Sequence, residues 1–319
     1  MPKETAPIQA RFAAAVERFV ARAEQDPYII AAILAGSFSH DSANVWKKSD
    51  IDLVVVTRDE KIHSGNRLKR PSVALVEEGL NLHLWMQTRG EFRKTMDGSI
   101  RGSFIHSLLS KSRLLFTRDQ TIKELYNNLK HLGSRDQQVN LLRAACMAVP
   151  ILYKAEKWLH VKDDTRYSFL WIMFCVQALA QIEVALAGEI AEREVIQQAL
   201  KINPSFFDAI YTDFIDKKKT KREVAAALER IDQYLSKKTR VLFGPILDYL
   251  KDAGAVRSAS EIETHFSNHY GVSQVTTACE WLADKDVIAK VSSPVRLTDK
   301  SKIEFDEMAF YYDGEGEPR

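Results

Sequence analysis

An apolar run, Ile29-Ile30-Ala31-Ala32-Ile33-Leu34-Ala35, stops at Gly36-Ser37, and a second run, Leu53-Val54-Val55-Val56, starts directly behind Asp50-Ile51-Asp52. Short apolar runs bounded by turn residues predict buried strands, so the segment reads as strand, turn, strand, with polar groups at the junction. Side chains alternate along a strand, which points Asp50 and Asp52 to the same face. Two carboxylates held that close repel each other unless a cation lies between them, so the pair suggests a metal site. Gly36 permits a close backbone approach, and Ser37 adds a hydroxyl beside backbone N–H groups. Such a turn is suited to holding a phosphate. The plain alternative, a strand ending in a solvated acidic turn, leaves the Gly-Ser pair without a purpose.

Gly36-Ser37, a spacer, and Asp50-x-Asp52 preceded by Ser49 resemble the signature of the nucleotidyltransferase superfamily of the DNA polymerase β type, which includes the aminoglycoside adenylyltransferases. The resemblance implies an α+β fold in which helices flank a mixed sheet. It implies a nucleoside triphosphate as substrate and Mg2+ or Mn2+ as cofactor. Asp50 and Asp52 would be the metal ligands and catalytic acids, and Gly36, Ser37 and Ser49 would lie against the nucleotide. The implied reaction moves a nucleoside monophosphate to an acceptor and releases pyrophosphate. The acceptor stays open among a small molecule, a protein side chain and an RNA end.

The family pattern also has a third carboxylate on a neighbouring strand, and this chain departs from it. The expected strand is Leu80-Asn81-Leu82-His83-Leu84-Trp85-Met86-Gln87, because Thr88-Arg89-Gly90-Glu91 after it has the form of a helix-opening capping box. Its polar face carries Asn81 and His83, neither of them acidic. Three readings follow. His83 replaces the acid as general base or ligand, which favours manganese over magnesium. Glu77 or Glu78 supplies the carboxylate through another register, although Gly79 marks them as bordering a hairpin turn. Or the site binds nucleotide with weakened chemistry, and the chain is a nucleotide-binding regulator.

A chain of 319 residues has room for two or three domains. Its 45% hydrophobic and 28% charged composition is that of an ordinary globular protein. A net charge of +2 provides no overall field to recruit nucleic acid or acidic membrane. Cys146, Cys175 and Cys279 have neither disulfide-like nor metal-ligand spacing, and Met1 to Thr5 opens no signal-peptide core. Both point to the cytoplasm. The most apolar stretch, Phe169 to Ala187, is broken by Gln177, Gln181 and Glu183 and ends at Gly188. It predicts a buried core helix with no membrane partner.

The nucleotidyltransferase domain is expected over 1–125, with a helix at Arg11–Ala23 and strands near 29–37, 50–57, 72–76, 80–87 and 113–116. The basic loop 58–71, with Arg58, Lys61, Arg67, Lys69 and Arg70, reads as a solvated hairpin connection. A helical domain follows over 126–238, with Pro150 expected to kink or split its first helix. The block Tyr153 to Leu159 resembles the helical domain of antibiotic-type nucleotidyltransferases, which implies nucleotide-binding roles for Lys154 and Lys157 on one helical face. The basic run 216–222 lacks interleaved aromatics and reads as a solvated connection.

Residues 239–312 have the rhythm of three helices and a hairpin, with strands Val287–Val291 and Val295–Thr298 around a Ser292-Ser293-Pro294 turn. That pattern resembles a winged helix-turn-helix. Its third helix has no Arg or Lys in its first turns, so packing or protein contact is preferred to DNA binding. The acidic tail 313–319 is expected to be disordered.

Overall fold

The computed structural model describes residues 5–40, 49–59, 72–98, 109, 111–128 and 134–314. The chain forms two compact units, Met1–Leu132 and Gly133–Arg319. Lys61, Arg67, Lys69 and Arg70 of the basic loop, and the tail beyond 314, lie outside the described residues.

The first unit runs α1 (Thr5–Ala23), β1 (Ile29–Ala35), α2 (Ser37–His40), β2 (Ile51–Thr57), β3 (Ser72–Glu77), β4 (Leu80–Thr88), α3 (Arg89–Gly98), β5 (Arg113–Thr117) and α4 (Gln120–Asn128). The strands lie in the order β3-β4-β2-β1-β5. Only β2 and β4 pair in parallel, so the sheet is mixed and the fold α+β.

Alternation along the strands divides the core in two. Leu34, Ile51, Leu53, Val55, Leu82 and Leu84 face α1, where Phe12, Val16 and Phe19 recur at helical spacing. Ile33, Val54 and Val56 face the other way, against Phe92 and Met96 of α3 and Ile122 and Tyr126 of α4. Covering both faces is what makes β1 and β2 read as unbroken apolar runs. Helices α3 and α4 cover the second face over the far half of β2 and leave the near end of that strand open. Glu78 and Gly79 both have positive φ and join β3 to β4 in a two-residue hairpin.

The second unit opens with two long helices packed together, α5 (Ser134–His160) and α6 (Thr165–Leu186). The helix is not split at Pro150, since α5 runs through it as one element. Buried Val149 and Leu152 flank the proline, and their packing outweighs one lost backbone bond. Helix α6 is long and apolar enough to cross a membrane by length and composition, and 56% of its apolar window is buried within the fold.

Within α6, Glu183 is 8% exposed and accepts a hydrogen bond from the Tyr234 hydroxyl. Burial, and then the Glu183 carboxylate, push that phenol well above its usual range. Tyr234→Phe therefore strands a buried carboxylate oxygen, and we expect a loss of about 1–3 kcal/mol, read as a lower urea midpoint. An unchanged midpoint would mean that Glu183 finds another partner. Cys146, Cys175 and Cys279 are free and buried, and burial pushes the Cys175 thiol up to about 12.

Helices α7 (Val195–Ile202) and α8 (Pro204–Phe207), a π turn (Asp208–Thr212) and α9 (Asp213–Asp216) lead to α10 (Lys221–Ser236). The rest is α11 (Thr239–Ala253), β6 (Arg257–Ser258), α12 (Ala259–Tyr270), α13 (Val275–Asp284), β7 (Ala289–Val295) and β8 (Phe305–Tyr311). The small sheet has the order β6-β8-β7. Ser292-Ser293-Pro294 is not a turn: these residues continue β7 and pair with Met308, Glu307 and Asp306 of β8. Proline is tolerated there because β7 is an edge strand. The strand expected at 295–298 gives way to a connection from 296 to 304, and Arg296 is bonded to Glu304 across its base.

Candidate active site

The open end of the sheet is where the acidic pair lies. Asp52 stands at the start of β2, opposite Ala35 of β1 and beside His83 of β4 in the parallel register. Residues side by side in neighbouring strands share a face, so Asp52 and His83 project together. Asp50 precedes the strand by one residue and joins them. His83 Nδ1 lies 3.8 Å from Asp50 Oδ2 and 4.0 Å from Asp52 Oδ1. Asn81 Nδ2 donates to Asp50 Oδ1 at 3.4 Å. The side chains of Asp50, Asp52 and His83 are 37%, 51% and 48% exposed, whereas Val54, the next residue on that face, is 2% exposed. The polar groups thus begin where the helical cover ends.

Asn81 and His83 occupy the neighbouring-strand position, and Glu77 and Glu78 do not. Glu77 pairs with Leu80 in the hairpin, three residues along β3 from the Ala74–His83 rung. It shares the face of Val73 and Leu75, which pack into the α1 core, and it forms ion pairs with Arg18 and Arg22 of that helix. Glu78 pairs with Arg18 at 2.8 Å. The arginines of α1 hold both acids on the opposite side of the sheet, which removes the alternative register.

Gly36 closes the site from β1. Its φ of +74° belongs to the left-handed region, and a Cβ there would meet Asp52 Oδ2 at 2.5 Å. A side chain is excluded twice, by the backbone and by the carboxylate. The Ser39 N–H donates to the Gly36 carbonyl at 3.1 Å, drawing the chain into α2. Ser37 opens that helix, and its side chain lies outside the described residues. Ser49 directly precedes Asp50 and is partly buried. Lys154 and Lys157 are exposed on α5 of the second unit.

The donor set of two carboxylates, an imidazole and an amide has the chemistry of a magnesium or manganese site. Among the described residues no group of three His, Cys, Asp or Glu is gathered closely enough to hold a metal ion by itself. Adjacent ligands on an ion with bonds of about 2.1 Å stand about 3 Å apart, and His83 is farther than that from both acids. Mg2+ is commonly held by one or two carboxylates together with substrate phosphates, not by an all-protein cage. Asp50 and Asp52 fit that description.

No protein-family model matches this chain, and no curated protein sequence does. Among solved structures it is similar to the crystal structure of a nucleotidyltransferase-like protein from Exiguobacterium sibiricum 255-15, with 13% identity and a TM-score of 0.61. The likeness covers 94% of this chain and 98% of that one, so it takes in the second unit as well as the sheet. At that identity what is shared is the architecture, and this chain has a nucleotidyltransferase-like fold.

Proposed function

We propose that the chain is a metal-dependent nucleotidyltransferase that moves a nucleoside monophosphate from a triphosphate to an acceptor hydroxyl. One observation carries the reading: Gly36 is pressed so close to Asp52 that a Cβ would collide with its carboxylate. A turn of that shape beside an exposed acid brings backbone N–H groups next to a cation site. Asp50 and Asp52 would hold a divalent cation, which neutralises triphosphate charge and polarises the phosphorus when bound. The Gly36-Ser37 turn seats phosphate oxygens, and Asn81 steadies Asp50.

His83 takes the proton of the acceptor hydroxyl. The freed oxygen bonds to the α-phosphorus, and the bond to pyrophosphate breaks. General-base catalysis of this kind contributes about 10²–10⁴-fold, so His83→Ala lowers kcat by about 100-fold or more with little change in KM for the triphosphate. His83→Asp is the matching control. A gain in magnesium-supported rate would show that the imidazole only fills the place of an acid. The reading itself is tested by pyrophosphate release across a panel of triphosphates and hydroxyl acceptors.

A second reading, a nucleotide-binding regulator with a winged-helix output domain, is favoured by two features. The neighbouring-strand position carries Asn81 and His83 instead of an acid, and the order α11-β6-α12-α13-β7-β8 with strand order β6-β8-β7 suits a winged helix-turn-helix. Its output would be protein contact, not DNA. The Glu263 carboxylate already accepts from the Gln274 and Thr276 N–H groups at the start of α13, where a DNA phosphate would otherwise bind. Glu280 on the same helix pairs with Lys290. Triphosphate binding without turnover on any acceptor would favour this reading.

A further inference from the structure

Ala35 is the last residue of β1 paired with β2, and Leu34 is the last paired with β5. Gly36 therefore lies past the end of both ladders, yet its backbone is held in the left-handed region and close against Asp52. Glycine loses more conformational freedom than any other residue when it is fixed, so this position needs restraint from outside the sheet.

Two residues of α2 supply that restraint. The Ser39 hydroxyl lies 2.7 Å from the Gly36 carbonyl oxygen and 2.9 Å from the Lys111 carbonyl oxygen, just ahead of β5. The Ser39 N–H donates to the same Gly36 carbonyl at 3.1 Å. Ser39 thus carries the tie between β1 and β5 beyond their last rung, Leu34–Arg113. Phe38 anchors the other side of the turn. Its ring meets that of buried Phe12 edge-on, with centroids 5.4 Å apart, and packs against the core on the α1 side of the sheet. The turn is pinned to α1 and to β5, while Asp52 projects from the opposite face. Phe38 and Ser39 are themselves only half-buried, at the margin of the core.

We infer that Ser39 and Phe38 are positioning residues for the triphosphate, holding the Gly36-Ser37 turn in its phosphate-seating shape before the substrate arrives. The inference rests on the nucleotidyltransferase reading above. Both residues act through the turn and not on the substrate. A loosened turn must be reordered each time a ligand enters, and that cost is taken from binding. The loss therefore falls on KM for the triphosphate, and kcat is largely kept once the site is filled.

The test is calorimetric titration of the full chain, in magnesium, with the α,β-methylene analogues of the four nucleoside triphosphates. The analogue that binds wild type best then serves for the variants. Ser39→Ala is expected to weaken its binding about tenfold, and Ser39→Thr, which keeps the hydroxyl, restores it. Phe38→Ala weakens it by about as much, and Phe38→Leu recovers most of the loss. Folding midpoints are read in parallel, and Ser39→Ala serves alone if Phe38→Ala folds poorly. In steady-state turnover the same two alanine variants raise KM for the triphosphate about tenfold and largely keep kcat. Unchanged affinity in Ser39→Ala, or a fall in kcat with KM unmoved, would overturn the inference and leave the nucleotidyltransferase reading standing. A wild-type chain that binds none of the four analogues would overturn both.

Discussion

Replacing Asp52 with asparagine lowers kcat by about 10³-fold and leaves the folding midpoint where it was. The two halves of this expectation have separate causes. Asp52 is 51% exposed at the end of β2 that α3 and α4 leave uncovered, so its carboxylate contributes little to the core. Asparagine keeps the shape of the side chain, and removing one of two neighbouring negative charges relieves repulsion with Asp50. What is lost is one of the two charges that would anchor a cation against the triphosphate, a preorganised electrostatic contribution that Asp50 alone does not replace. Pyrophosphate release at saturating triphosphate and metal measures the first half, and thermal denaturation measures the second. Full activity in Asp52→Asn would remove the acid from the chemistry altogether.

Gly36→Ala is expected to be nearly as damaging, for a reason that a control can isolate. A non-glycine residue held in the left-handed region costs about 1–2 kcal/mol. Gly36 and Gly79 both carry that backbone cost, with φ of +74° and +77°. They differ in surroundings. A Cβ at Gly79 meets nothing within 4 Å, while one at Gly36 lies 2.5 Å from Asp52 Oδ2. Gly79→Ala should therefore lose only about 1–2 kcal/mol of stability and keep its activity. Gly36→Ala should lose more stability and should also turn Asp52 out of place, with turnover falling about 100-fold. Equal activity in the two variants would mean that the contact between Gly36 and Asp52 has no bearing on function.

The parts of the site that follow from strand periodicity were legible in the sequence. Asp50 and Asp52 share a face because they are two apart, and Asn81 and His83 share a face for the same reason. Which of the nearby polar residues completes the site was not legible. That choice depends on Arg18 and Arg22, 59 and 55 residues from Glu77, which draw the acid to the α1 side. Local propensity misleads wherever packing overrides it. Pro150 sits inside a continuous helix, and Ser292-Ser293-Pro294 has the composition of a turn yet forms an edge strand.

The most direct measurement is the anomalous scattering of manganese in a crystal grown with a non-hydrolysable triphosphate. The expected result is a manganese peak bound by the Asp50 and Asp52 carboxylates, with phosphate oxygens of the same ligand against the Gly36-Ser37 turn. A triphosphate bound away from that turn, or a peak with neither aspartate among its ligands, would contradict it.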